Sequence, residues 1–289
     1  MANVRDLRQR IRSVGNIQKI TRAMEMVATT KLRRFQGKAV SAKPYTHELE
    51  QLVRRLGGAV ASRPEGAGAA ARLFEAGREG AAVGVLFVGS DRGLCGAYNS
   101  NVQRCLDAEV RQWGRPARMF VVGRKAMRHC ARRGYEVAAY LEDRPLERLS
   151  FDDAAAISAL LVRQFVAEEL SAVYLCYTSF VSMMRFEPRC SRFLPITPPE
   201  LTGPAEDLIL EPSGPEVLAR LIPSYLETAV YHALLESITS EYASRRFAMK
   251  NATEAAGEMK HLITRQYNKV RQAKITSEIL EVVAGAEAL

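Results

Sequence analysis

The chain has no run of 18 apolar residues, so no segment reads as a membrane-spanning helix. It has no C-x-x-C pair either. Its five cysteines, Cys95, Cys105, Cys130, Cys176 and Cys190, are odd in number and scattered. That pattern argues against a disulfide framework and against the ligand spacing of a zinc module. It fits a reduced, cytosolic compartment, with each thiol read as a small buried hydrophobe. No Gly-Lys-Ser/Thr occurs, so there is no P-loop. The first twelve residues are charged from the start and lack the apolar core of a signal peptide. The last third is short of helix breakers: no proline follows Pro223, and Gly257 is the one interior glycine before the tail.

That shortage predicts a helix over about residues 215–285, roughly 70 residues and about 105 Å long at the usual rise. Ser213, Pro215 and Glu216 give it a capped start. Ala252, Ala255, Met259, Leu262, Ile263, Tyr267, Val270 and Ala273 step by three and four, and Ile275, Ile279, Val282, Val283 and Ala286 extend the stripe. Such a seam needs a partner helix of similar length. Residues 2–56, broken only by Gly15 and Pro44, supply it. Asn3 and Asp6 mark its start. Leu7, Ile11, Val14, Ile17, Ile20, Met24, Val27, Ala28, Leu32 and Phe35 form its stripe, and Gln18, Lys19, Arg22 and Glu25 point away from it. Pro44 removes a backbone bond and predicts a kink or break.

Charge is distributed unevenly. Residues 1–56 hold thirteen Lys/Arg against four Asp/Glu, whereas 57–213 and 214–289 are each balanced, so the first helix carries the whole net charge of +9. A basic rod can meet nucleic acid, an anionic membrane or an acidic protein surface.

Between the helices, residues 57–80 are rich in glycine and alanine and read as a linker. Residues 81–195 alternate strands at 82–88, 118–122, 135–141 and 172–177 with helices at 98–113, 125–133 and 151–170. A fifth strand at 189–194 lies at an edge. This order predicts a mostly parallel sheet covered by helices. Ser150 caps the third of these helices, with Asp152 and Asp153 in its first turn. The proline-rich stretch 196–213 returns the chain to the last helix. The expected organisation is therefore an antiparallel coiled coil of residues 1–56 and 214–289 with an inserted Rossmann-like α/β domain of about five strands.

The first strand leads into Gly89-Ser-Asp-Arg-Gly-Leu-Cys-Gly-Ala-Tyr-Asn99, where α/β proteins bind phosphates. The glycines are spaced G-x-x-x-G-x-x-G, which favours a tight strand-to-helix turn over a nucleotide site. Cys95 has no local histidine partner. His232 and His261 are far apart along a rod, and no carboxylate pair marks a pocket. No catalytic, metal or cofactor site is expected.

Three stretches carry a family resemblance: residues 16–34, Ser90-Asp-Arg-Gly-Leu-Cys-Gly96, and Ala248-Met-Lys-Asn-Ala-Thr253 with Tyr267-Asn-Lys-Val-Arg-Gln-Ala-Lys-Ile-Thr-Ser-Glu-Ile279 and the tail at 282–288. In this order, over nearly the whole chain, they resemble the gamma subunit of F-type ATP synthases, the central rotor shaft. The resemblance implies a non-catalytic subunit that passes torque between an ion-driven c-ring and a ring of three alpha and three beta subunits. It would couple proton flow to ATP synthesis and regulate ATPase activity. Partners would be alpha, beta, epsilon and the c-ring, with no nucleic acid, at the cytoplasmic face of a bacterial cell membrane that the chain touches only through the complex. The family's contact positions fall on Lys19, Arg22, Met24, Arg92, Cys95, Arg271 and Gln272. From spacing alone Met24 reads as core packing, and Arg271 and Gln272 as solvent-exposed. A nucleic-acid module is the rival reading, weakened by a rod without interleaved aromatics and by its neutral second helix. An enzyme on the α/β domain is the other, weakened by the lack of a catalytic set.

Overall fold

The computed structural model describes residues 4–61, 72–141, 145–196 and 214–287. Helix α1 spans Val4–Ala61 and α5 spans Gly214–Glu287. Between them lie β1 (Ala82–Val88), α2 (Tyr98–Trp113), β2 (Ala117–Val122), α3 (Arg124–Arg133), β3 (Glu136–Leu141), a 3-10 turn (Leu146–Arg148), α4 (Phe151–Val166), β4 (Leu170–Phe180) and β5 (Phe186–Leu194). The expected caps Asn3 and Ser213 lie outside the described residues. No described helix is long and apolar enough to cross a membrane. The chain forms two compact units. One comprises Met1–Thr30 with Arg245–Leu289, and the other Lys31–Ser244.

In the first unit the two helices run antiparallel. Thr253 Oγ1 donates to Thr21 Oγ1 at 2.8 Å. Gly257 faces Gln18 so closely that a Cβ there would lie 3.0 Å from the amide nitrogen, and Gly15 faces the Lys260 stem. Positions therefore rise on one helix as they fall on the other.

The pairing corrects the predicted stripes. Ile17 and Ile20 are 53% and 59% exposed, and Val27 is also exposed. Leu7, Ile11, Val14 and Ala28 turn inward as expected, and Gln18 and Glu25, expected to point away, turn inward with them, as does Thr21. On α5, Met259 and Leu262 are exposed, as is Ala255, while Ala256, Gly257 and Ile263 lie on the inner side. The physical reason is close approach. Small and hydroxyl-bearing residues such as Thr21, Thr253 and Gly257 let the two backbones approach there, and Ile17, Ile20, Met259 and Leu262 are left on the outside. The tail extension, Ile275 to Val283, is exposed throughout, because the register brings the start of α1 opposite about residue 270. The helices are also unequal, 58 and 74 residues.

The expected break at Pro44 is absent, and α1 continues through it. Pro44 lies on the exposed side, where the carbonyl it frees can turn to water.

In the second unit the strand order is β3-β2-β1-β4-β5, parallel except for the antiparallel β4–β5 pair. β1, β2 and β4 are buried almost end to end, as strands covered on both faces are. Val85, Phe87, Val102, Leu106, Met119 and Val121 form the core between sheet and helices. Three elements differ in extent from expectation, among them β5, which begins at Phe186 and not at 189. α4 stops at Val166 because Glu168 takes a left-handed φ of 59°, and β4 starts earlier and runs longer. β5 tolerates Pro188 because it is an edge strand. The capping box of Ser150 and Asp153 forms, with Ser150 N donating to Asp153 Oδ2 at 2.8 Å.

Candidate subunit-docking surfaces

An α/β sheet with this order binds ligands where its connections reverse, beyond the carboxyl ends of β1 and β4. Here that crevice is filled by the chain itself. Ser244 of α5 donates to the Cys95 carbonyl at 2.6 Å, Ser240 donates to the Thr178 carbonyl at 3.2 Å, and Ser237 accepts from the Thr178 amide at 3.4 Å. The loop after β1 is equally occupied. Ser90 is fully buried, its Oγ donates to the Arg92 carbonyl at 2.7 Å, and its amide donates to Asn99 Oδ1 at 3.1 Å. Asp91 accepts from the amides of Arg124 and Leu146, tying the starts of α3 and the 3-10 turn to the loop. Gly123, at φ 92°, passes so near Gly89 that a Cβ would lie 2.2 Å from the Gly89 carbonyl oxygen. These contacts bear out the reading of a tight turn, with the Ser90 amide and hydroxyl already bonded within the loop.

His129 pairs with Asp107 on α2, at 2.8 Å, and not with Cys95. Asp107 also accepts from Tyr135 at 2.8 Å and from Arg133 at 2.6 Å. Burial alone would raise its pKa, but hydrogen bonds from His129, Tyr135 and Arg133 outweigh it and hold the carboxyl below the usual range. Burial and the Asp107 bond push Tyr135 up to about 12. A second network joins Lys31 Nζ to Glu147 at 2.5 Å and Glu147 to Tyr242, whose ring stacks on Phe35 at 5.8 Å. Burial opposes ionisation of Glu147, but its bonds to Lys31 and Tyr242 lower its pKa on balance. A groove of about 460 Å³ lined by Arg78, Glu79, Arg118, Glu168 and Glu169 is charged, and Arg118 is already paired with Glu136 and Glu169.

Of the expected contact residues, Lys19, Arg22, Arg271 and Gln272 are exposed in the first unit, and Met24 is half-buried there. Arg271 and Gln272 sit where the paired part of α5 gives way to its exposed end. In the second unit Arg92 is exposed, while Cys95 is 2% exposed and its Sγ accepts from Asn99 Nδ2 at 3.1 Å. Cys95 thus anchors the loop from inside.

Two features escaped the sequence reading. Leu94, between Arg92 and Cys95, holds a left-handed φ of 62° with its side chain exposed, a strain of roughly 1–2 kcal/mol for a residue with a Cβ. The neighbouring glycines suggested that they took any such strain. The other is a meeting of Cys105, Cys176 and Cys190, whose Sγ atoms lie within 4.8 Å of one another. Gaps of 71 and 14 residues conceal it in the sequence.

Apolar side chains are exposed beside the polar ones. Ile17, Ile20, Met26 and Val27 on α1, with Met259, Leu262, Ile279, Leu280 and Val282 on α5, are all exposed in the first unit.

Comparison with known proteins matches residues 3–289 to the ATP synthase family model. The ATP synthase gamma chain of Moorella thermoacetica is 43% identical over 289 residues, covering all of both chains. That of Pelotomaculum thermopropionicum is 39% identical, again over the full length of both. Among solved structures, a chain of the Euglena gracilis mitochondrial ATP synthase rotor aligns with a TM-score of 0.64 at 18% identity, over 94% of this chain and 98% of that one. A central-stalk chain from Tetrahymena thermophila gives 0.59 at 22% identity, over 81% and 99%.

Proposed function

This chain belongs to the ATP synthase gamma-chain family, and from that premise we propose that it is the central rotor shaft of such a complex, a subunit without a catalytic site of its own. It would transmit torque between a c-ring and a hexamer of three alpha and three beta subunits, so that ion flow and ATP synthesis are coupled. The observation that carries this reading is full-length kinship joined to an exposed apolar helix. Residues 271–287 of α5 have no helix beside them among the described residues, yet carry Ile275, Ile279, Leu280, Val282 and Val283 into solvent. Burying such a side chain fully contributes about 1.5–3 kcal/mol, so this end is suited to an apolar sleeve. The basic α1 suits acidic segments on beta, because charge attraction steers a partner without locking it.

On this reading residues 1–56 and 214–289 serve as the shaft, and the inserted domain, 81–195, meets epsilon and the c-ring. Lys19, Arg22, Met24 and Arg92 face the moving parts of beta, with Leu94 beside Arg92 and Cys95 fixing the loop that carries both. Arg271 and Gln272 hydrogen-bond a beta loop. The complex lies at the cytoplasmic face of a bacterial membrane, with this chain peripheral to it.

The test is reconstitution with alpha and beta. The chain alone should hydrolyse no ATP, and the complex should. Arg271→Ala with Gln272→Ala should lower turnover while leaving the melt of the isolated chain within about 0.5 kcal/mol, as exposed positions usually do. A bond to a charged group is worth roughly 1.5–3 kcal/mol, so Arg271→Ala alone should do more harm than Gln272→Ala. Unchanged turnover in the double variant removes these two residues from the mechanism.

A further inference from the structure

Cys176 on β4 stands directly opposite Cys190 on β5 in the antiparallel register, so both thiols leave the sheet on one face. Cys105 on α2 reaches the same spot, and the three Sγ atoms lie within 4.8 Å of one another. Cys176 is buried, while Cys105 and Cys190 are half-buried, so the cluster has a floor and an open side. Glu109, one helical turn beyond Cys105 and half-buried, acts electrostatically on Cys190 and adds negative charge beside the opening.

We propose that Cys105, Cys176 and Cys190 form a binding site for one thiophilic metal ion of the zinc class, held by three thiolates with water in the fourth position. A zinc–thiolate bond of about 2.3 Å implies sulfurs about 3.8 Å apart in a tetrahedral site. Sulfurs already within 4.8 Å need to close by at most about 1 Å, which rotation about the Cα–Cβ bonds can supply. Three thiolates select soft cations over magnesium or calcium. On binding, three S–H bonds break, three protons pass to solvent and three metal–sulfur bonds form, with no change of oxidation state. The ion would pin α2 and the edge strand β5 to β4, so its expected effect is to stiffen the sheet edge of the α/β unit. The other two cysteines take no part. Cys95 is held in the loop after β1, and Cys130 is buried in the core on α3.

The test uses the full-length chain, reduced and stripped of metal. Zinc is titrated against a chromophoric chelator, and cadmium is added separately to read the thiolate-to-metal charge-transfer band. The expected result is one ion per chain, three of five thiols protected from a thiol reagent, and a charge-transfer intensity for three thiolates. Cys105→Ser and Cys190→Ser should each weaken zinc binding by at least about 100-fold, beyond the loss typical of an outer-shell partner. Cys130→Ala should bind as the parent does. A thermal melt of each apo variant checks that it folds. The proposal is overturned if the reduced parent chain binds no zinc at micromolar free metal, or if binding survives both serine variants. Loss of two thiols to a Cys176–Cys190 disulfide in the presence of metal under reducing conditions overturns it equally.

Discussion

Asp107 is an acid enclosed on α2 by three donors, His129, Tyr135 and Arg133, from α3 and the chain that follows it. Removing it strands a buried imidazole and a tyrosine hydroxyl together. Asp107→Ala should therefore cost roughly 1–3 kcal/mol or more, read as a lower denaturation midpoint at unchanged slope. The sign of the pH effect follows from the depressed folded pKa. The carboxylate's contribution is present above its unfolded pKa of about 3.9 and is lost as pH falls through the lower folded value. Below about pH 4 the parent should lose stability more steeply than Asp107→Asn. Parallel acid limbs in the two proteins would show that Asp107 is not held ionised by its partners. None of this network was visible in the sequence. Asp107, His129 and Tyr135 carry no spacing signal, because it is the packing of α3 on α2 that makes them neighbours.

Helices α1 and α5 were legible as elements but only partly in their inner faces. Their lengths follow from missing breakers, and their direction from the need to bracket an inserted domain. Apolar spacing marks the inner face correctly at Leu7, Ile11, Val14 and Ala28 and fails at Ile17, Ile20, Met259 and Leu262. In the structure Gln18, Glu25, Ala256 and Gly257 turn inward while Ile17, Ile20, Met259 and Leu262 face out. A rod that must work inside other subunits has two apolar faces, and periodicity alone cannot rank them. This gives an opposed pair of substitutions. Ala28→Lys puts a charge at a position 1% exposed and should cost about 3 kcal/mol in the isolated chain. Ile20→Lys should change the isolated chain by less than about 0.5 kcal/mol, yet weaken its assembly with alpha and beta. Equal effects on the isolated chain would place the seam elsewhere. The α/β elements were read more closely. α2 matches its expected span because its apolar positions all serve one core, whereas α4 ends early at a backbone turn in Glu168 that no local signal announces.

At the scale of the whole molecule, kinship with ATP synthase gamma chains makes this a non-catalytic chain that transmits torque. Helix α5 donates two hydrogen bonds into the sheet's ligand crevice, Ser90 is bonded within the glycine-rich loop, and apolar and basic side chains are exposed on the helices. Those features suit a place between other subunits. The most direct measurement follows one molecule turning. The chain is assembled with alpha and beta subunits fixed to a surface, and a bead is attached through a biotin-acceptor peptide inserted in the β4–β5 turn at Met184, which is 82% exposed. With ATP supplied, the account predicts that the bead rotates in one direction, in three main steps per turn. A complex that hydrolyses ATP at full rate while its bead shows only random rocking would contradict it.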